Sequence, residues 1–223
     1  MTSLPAGPVP IDSGTAELLS DPSEPALVTL LVNGVPSSCL DLTDPLRLEF
    51  EYMQHIAALT AHLPAGPLDV VHLGAGACTI PRWLHAVRPG SRQLAVDIDA
   101  RLLELVRSWF ALPRSPHLRL RAAEARAATT GLPTASADLL VRDVFAGAET
   151  PGPLMTAEFC QEVARVLRPD GLYLANCADR PPLTTARSEL ATMSSVWPHV
   201  ALVAETGVLR GRRYGNLVLA ASA

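Results

Sequence analysis

Short apolar runs alternate with stretches of helical period along most of the chain. "LDVVHLGAG" (68–76) reads as a buried strand, and "TIPRWLHAV" (79–87) as a helix ending near Pro89-Gly90. The alternation predicts a strand over 92–99, a helix over 100–112 and strands over 117–125 and 137–145. A helix over 156–167, stopped by Pro169-Asp170-Gly171, a strand over 172–179 and a helix over 182–197 follow. Runs 199–205 and 214–222 close the chain as an antiparallel edge hairpin around residues 207–213. Short, wholly apolar strands separated by helices belong to a mostly parallel sheet covered on both faces.

Upstream the pattern changes. "ALVTLLVNGVPSSCLDL" (26–42) sets two apolar runs around Asn33-Gly34, a pair that tolerates positive φ and predicts a hairpin. Residues 14–43 are therefore expected to form a small N-terminal β unit. Residues 1–13, with Pro5, Pro8 and Pro10, read as a loose tail, and residues 44–223 as the strand–helix domain. At the junction, Leu48, Tyr52, His55, Ile56 and Leu59 fall near helical spacing after Asp44-Pro45.

Composition narrows the partners. With 223 residues, 48% of them hydrophobic, the chain can bury a sizeable core. A net charge of −4 and few aromatics disfavour a nucleic-acid surface. No apolar stretch approaches the roughly 18 residues of a membrane span, and the start carries no secretory signature, so a cytoplasmic protein without membrane association is expected. Cys39, Cys78, Cys160 and Cys177 are widely spaced and not grouped with histidine. They read as reduced, buried thiols, with no metal site.

The chemistry is expected at the carboxyl ends of the strands, where an open α/β sheet binds its ligands. Gly74 and Gly76 let a ligand approach the backbone where the strand over 68–76 ends. Asp97 ends the next strand about 20 residues on, where an acid accepts hydrogen bonds from ribose hydroxyls; Asp99 is the natural helix cap. Glu124 and Asp143 end the two strands after it, so three acids converge on one rim. The dinucleotide G-x-G-x-x-G pattern is incomplete, with Thr79 at its third glycine, and Arg82 is the one nearby base. A nucleoside without phosphates, such as S-adenosylmethionine, fits better than a dinucleotide. His55 and His72 read as packed or surface histidines and Cys78 as a small packing residue. Arg210, Arg212 and Arg213 read as a solvated loop, and Tyr214 as an edge residue or a cover over the site.

Several segments taken together, in order and spacing, resemble the spermidine synthase (polyamine aminopropyltransferase) family, especially its actinobacterial spermidine synthase-like branch. They are "LLVNGVPSSCLDL", "LEFEYMQHI" (against E-F-x-Y-x-E), "VHLGAGA", "VDID", "AEAR" (against G-D-A-R), "LLVRDVFAG" (against D-S-S-D) and "LMTAEFCQEVARVLRPDGLYLAN". The resemblance implies a class I S-adenosylmethionine-dependent methyltransferase-like Rossmann fold, with a mostly parallel seven-stranded sheet behind the small β unit. It implies that Gly74, Ala75, Gly76 and Ala77 cradle S-adenosylmethionine or its decarboxylated form. Asp97 and Ile98 would meet the ribose, and Glu124 and Ala125 the adenine. Tyr52, Gln54, Phe145 and Ala146 would line the acceptor side. Asp143, beside the cofactor, would deprotonate a small-molecule amine for aminopropyl transfer. It implies a homodimer and no metal.

The chain departs from the family's pattern where the family's acids grip cations. Ala77 replaces the loop aspartate, Ala146 the second Asp of D-S-S-D, Gln54 a glutamate, and Ser37 lies near a glutamine. A buried ammonium needs a carboxylate partner, so these changes count against ordinary diamine chemistry. Alanine at 77 predicts weak discrimination between S-adenosylmethionine and its decarboxylated form. Methyl transfer to a small acceptor, or a nucleoside-binding protein without catalysis, are the alternatives.

Overall fold

Val70, Val71, His72 and Leu73 are all buried, as a strand covered on both faces requires. They form β5 (Asp69–Leu73), an interior strand of a seven-stranded sheet in the computed structural model, which describes residues 4–147 and 149–223. β5 lies between β6 (Arg92–Asp97) and β8 (Ala137–Arg142), and β7 (Leu118–Ala122) flanks β6 as an edge. On the other side follow β9 (Leu167–Asp179), β11 (Gly215–Ser222) and β10 (His199–Val203). All neighbours from β7 to β9 run parallel; β11 runs antiparallel to both β9 and β10. The closing hairpin is thus present, with β11 inserted between β9 and the edge strand β10. The strand order reverses at β5, so the loops after β5, β6, β7 and β8 share one rim. This is the expected α/β architecture.

The helices are α1 (Glu51–Thr60), α2 (Thr79–Val87), α3 (Ala100–Trp109), α4 (Ala125–Thr130), α5 (Ala157–Val166), α6 (Thr184–Ser194) and α7 (Thr206–Leu209). Several differ from the sequence expectation: the helix foreseen over 100–112 stops at Trp109, and that over 182–197 spans Thr184–Ser194. The strand foreseen over 117–125 stops at Ala122, because Glu124 caps α4 through its side chain. The helix foreseen to 167 ends at Val166, and Pro169-Asp170-Gly171 lies inside β9. There the register against β8 jumps from Ala137–Leu167 to Leu139–Leu172, so the proline loops out of the ladder. The 207–213 connection contains α7. Arg119 and Arg121 stand exposed on the edge strand β7, which discourages pairing with another strand.

The N-terminal unit is an antiparallel sheet of β1 (Val9–Ile11), β2 (Gly14–Asp21), β3 (Glu24–Val32) and β4 (Val35–Asp41), in that order. Asn33 and Gly34 turn between β3 and β4 with φ of 52° and 77°, as the hairpin signal required. The loose tail is corrected: residues 9–11 pair with β2, and the backbone N–H groups of Asp12 and Ser13 donate to Asp99. Three prolines masked a strand that needs only one ladder edge. Val28, Leu30 and Leu40 share a core with Ala75, Ala77, Cys78, Leu102 and Val106, so the small sheet packs directly on the glycine loop and α3. Among the described residues, no helix is long and apolar enough to cross a membrane. All four cysteines are free and buried.

Candidate functional site

Gly74 (φ 88°) is required by its surroundings. A Cβ there would lie 2.0 Å from the carbonyl oxygen of Asp143, so the loops after β5 and β8 touch only because position 74 has no side chain. Gly76 (φ 46°) makes room for something else: a Cβ would strike the Ser38 hydroxyl of β4. That hydroxyl accepts the Ala77 N–H at 3.0 Å, while Thr79 Oγ1 donates to the Cys39 carbonyl and Arg82 Nη1 to the Asp41 carbonyl. The small sheet therefore grips the loop and the start of α2. Ala75 and Ala77 are buried, and Ala77 packs its methyl into the shared core rather than toward open space. Arg82, turned to Asp41, offers no cation to a phosphate.

The Asp97 carboxylate accepts the Ala75 N–H at 3.0 Å and the Asp99 N–H at 3.1 Å, which joins the end of β6 to the glycine loop. Ile98 follows and is 70% exposed, a large apolar side chain left uncovered at the rim. Glu124 is exposed and spends both oxygens on the N–H groups of Arg126 and Ala127; Ala125 behind it is buried. Glu124 is thus the cap of α4, a use the sequence reading did not weigh.

Asp143 follows β8 directly. Its Oδ2 accepts the Tyr52 hydroxyl of α1 at 2.8 Å, and its Oδ1 accepts the Asn176 amide of β9 at 2.8 Å. Burial raises the proton affinity of this carboxyl, opposed by the bonds from Asn176 and Tyr52 and by the charge of Arg142. Burial, and then the charge of Asp143, raise the Tyr52 hydroxyl well above the usual phenol range, so it remains a donor. A carboxylate held by two donors, with one lone pair free on each oxygen, is built to receive a further N–H or O–H.

Tyr52 and Asp143 are brought into contact, a pairing the sequence reading did not foresee; Gln54 is not part of it. It is exposed, and its amide donates to the Leu48 carbonyl, folding back over the start of α1. Phe145 is half-buried. Ala146 is exposed and bridges to Glu149 in a tight turn. Asn176 was missed, since a lone amide in "LYLANCAD" gives no sign of a partner 33 residues away. The signal for Arg142 was present, a charge ending an apolar strand, but it is fully buried behind the site and pairs with Glu189 at 2.7 Å.

The remaining candidates are structural. His72 contacts Gln93 at 2.9 Å inside β5, and burial pushes it down to about 4, so it stays neutral. His55 lies 3.9 Å from Glu205. Burial pushes the Cys78 thiol up to about 12, which removes it as a nucleophile. Arg213 pairs with Glu51, and so is less free than the solvated loop foreseen; Tyr214 is exposed. No cluster of metal-binding side chains occurs among the described residues.

Residues 71–175 match the model of the methyltransferase domain family. The chain is 43% identical to a probable spermidine synthase from Corynebacterium glutamicum, covering 99% of this chain and 81% of that one with a TM-score of 0.93. It is 30% identical over 142 residues to the eEF1A lysine and N-terminal methyltransferase of Bos taurus, over 59% of this chain and 20% of that protein. It is 25% identical to the polyamine aminopropyltransferase of Neisseria meningitidis, over 62% of this chain and 53% of that protein. The chain thus matches about a fifth of the one curated relative and about half of the other.

Proposed function

The chain belongs to the spermidine synthase-like family, and on that premise we propose that it transfers an aminopropyl group from a sulfonium nucleoside to a small amine, with Asp143 as the base. The observation that carries this reading is the Asp143 carboxylate, held by Tyr52 and Asn176 where its own backbone touches Gly74. A base at that point stands between the nucleoside cradle and the acceptor side.

The residues suit the donor. Asp97 offers a carboxylate for ribose hydroxyls, Ile98 an uncovered apolar side chain for a ring, and the acid-lined rim attracts a cation. Bound there, a sulfonium donor supplies an activated carbon and a neutral thioether leaving group. The protein's part is to free the nucleophile. An alkylammonium has no lone pair, so Asp143 takes one N–H proton, and the freed pair forms the new N–C bond as the C–S bond breaks. Burial makes Asp143 the better acceptor for that proton, and the Tyr52 and Asn176 bonds fix its direction. Asp143 then returns that proton to solvent, and the product leaves as a secondary ammonium.

Two features bear on which sulfonium is taken. Ala77 buries its methyl and gives its N–H to Ser38, so it clamps neither an aminopropyl ammonium nor an amino-acid carboxylate. Calorimetry should find the affinities for S-adenosylmethionine and its decarboxylated form within about tenfold, or ~1.4 kcal/mol. A hundredfold preference for the decarboxylated form sinks that expectation. Methyl transfer is the second reading, favoured by the methyltransferase domain match. Incubation with each donor and a panel of amines separates the two. Methylthioadenosine release is expected; S-adenosylhomocysteine release establishes methyl transfer instead, and neither product leaves a nucleoside-binding protein.

A further inference from the structure

Arg142 ends β8 with no exposed surface, and the proposed chemistry makes no direct use of it. A buried guanidinium costs several kcal/mol in lost hydration, and apolar residues fill such a space at lower cost. Its contacts are therefore informative. Nη1 pairs with Glu189 Oε1 of α6 at 2.7 Å and donates to the Leu154 carbonyl at 3.0 Å. Nη2 donates to the Asn176 carbonyl at 2.9 Å. The Asn176 side chain is the one that donates to Asp143. Leu154 ends the segment that Asp143 begins and that carries Phe145 and Ala146.

We infer that Arg142 and Glu189 form a positioning pair for Asp143: the guanidinium pins β9 at Asn176 and the far end of the acceptor-side segment, and Glu189 holds the guanidinium. Side chains alternate along a strand, so Arg142 and Asp143 leave β8 on opposite faces and the pair acts from behind the sheet. The inference rests on Asp143 being the base of the site. It differs from plain stabilisation, because a pair that only filled the core could be replaced by apolar residues with no consequence at Asp143.

Asp143 is faced by Tyr52 from α1 and Asn176 from β9, and the Arg142 charge acts on it from behind the sheet; the glycine loop brings Gly74 against its backbone. Arg142 is in turn surrounded by Glu189 of α6, Tyr173 and Cys177 of β9, and Cys160 of α5. Of these, Glu189 is the counter-charge. Among the described residues, the Arg142 Nε, Glu189 Oε2 and Tyr173 hydroxyl are buried without a protein partner.

The test follows the Asp143 carboxyl by carbon-13 NMR as pH is varied, with the signal assigned through Asp143→Asn. It compares wild type, Glu189→Gln and the double variant Arg142→Met/Glu189→Leu. Glu189→Gln leaves the cation uncompensated, so the Asp143 midpoint should fall by about half a unit or more. The double variant removes the cation, so the midpoint should rise. Amine turnover should drop at least tenfold in both, with KM for the donor unchanged. Thermal unfolding identifies a variant that fails to fold; the double variant, isosteric and apolar, then decides alone. Midpoints unchanged in folded variants overturn the inference. The underlying reading fails separately, if Asp143→Asn turns over amine as fast as wild type.

Discussion

Asp143 carries two opposed demands, to stay ionised as a base and to sit where burial favours its neutral form. Burial raises its proton affinity, so the folded state holds that proton more tightly than the unfolded chain. A carboxyl of this kind supports stability at low pH and loses that support as pH rises through its folded value. Asp143→Asn removes the charge while keeping the shape. Turnover should fall about 10²–10⁴-fold, the usual worth of a general base, while the melting temperature at pH 8 holds or rises. Paired kinetics and calorimetry decide it, and a melting temperature lowered by several degrees would mean that Asp143 is structural. The anomaly of a charge ending an apolar run made Asp143 legible in the sequence. Asn176 was not legible, because its meaning lies in a partner on another strand and asparagine carries no charge to flag it.

Among the elements, α3 shows how one residue joins local and distant structure. Asp99 caps it by accepting the Leu102 N–H at 2.7 Å, as its position before the helix announced. It also accepts the Ser13 N–H, the Ser13 hydroxyl and the Asp12 N–H, and nothing in the sequence indicated that use. Asp99→Ala should cost about 3 kcal/mol, one for the cap and the rest for the three part-buried hydrogen bonds lost from Ser13 and Asp12. In a chain of this size that is a fall in Tm of roughly 6–12 °C. Burial pushes the Asp99 carboxyl up, but its donors outweigh burial and hold it below the usual range. Its stabilisation is complete above the unfolded value near ~3.9 and is lost as pH falls through the lower folded value. The gap between wild type and Asp99→Ala should therefore narrow in acid, and a gap independent of pH contradicts the assignment. The same contrast explains the other differences. Strands and helices with a local period were legible, whereas β1 depends on a neighbour and α4 on a cap.

At the scale of the whole molecule, the small sheet and the glycine loop form one mechanical unit. Ser38 fills the space that Gly76 leaves and holds the Ala77 N–H, and Cys39 and Asp41 take the next two contacts along α2. The absence of a loop acid at Ala77 was read from the sequence as a lost grip on a cation, a poverty of charge in the loop. The geometry adds that part of the poverty serves packing, since Ala75, Ala77 and Cys78 are core residues shared with β3 and β4. A ligand that orders the loop must then order β4 as well, because their bonds are common. Hydrogen exchange tests this directly. Saturating methylthioadenosine should slow exchange in residues 35–41 along with 74–78, while β10, at the far edge of the large sheet, stays unchanged. Ser38→Ala should remove much of the protection in 35–41 and leave that at Asp97 in place. Protection confined to 74–78 in the wild type would show that the small sheet only rests against the cradle, and would cut the link between Ser38 and the bound ligand.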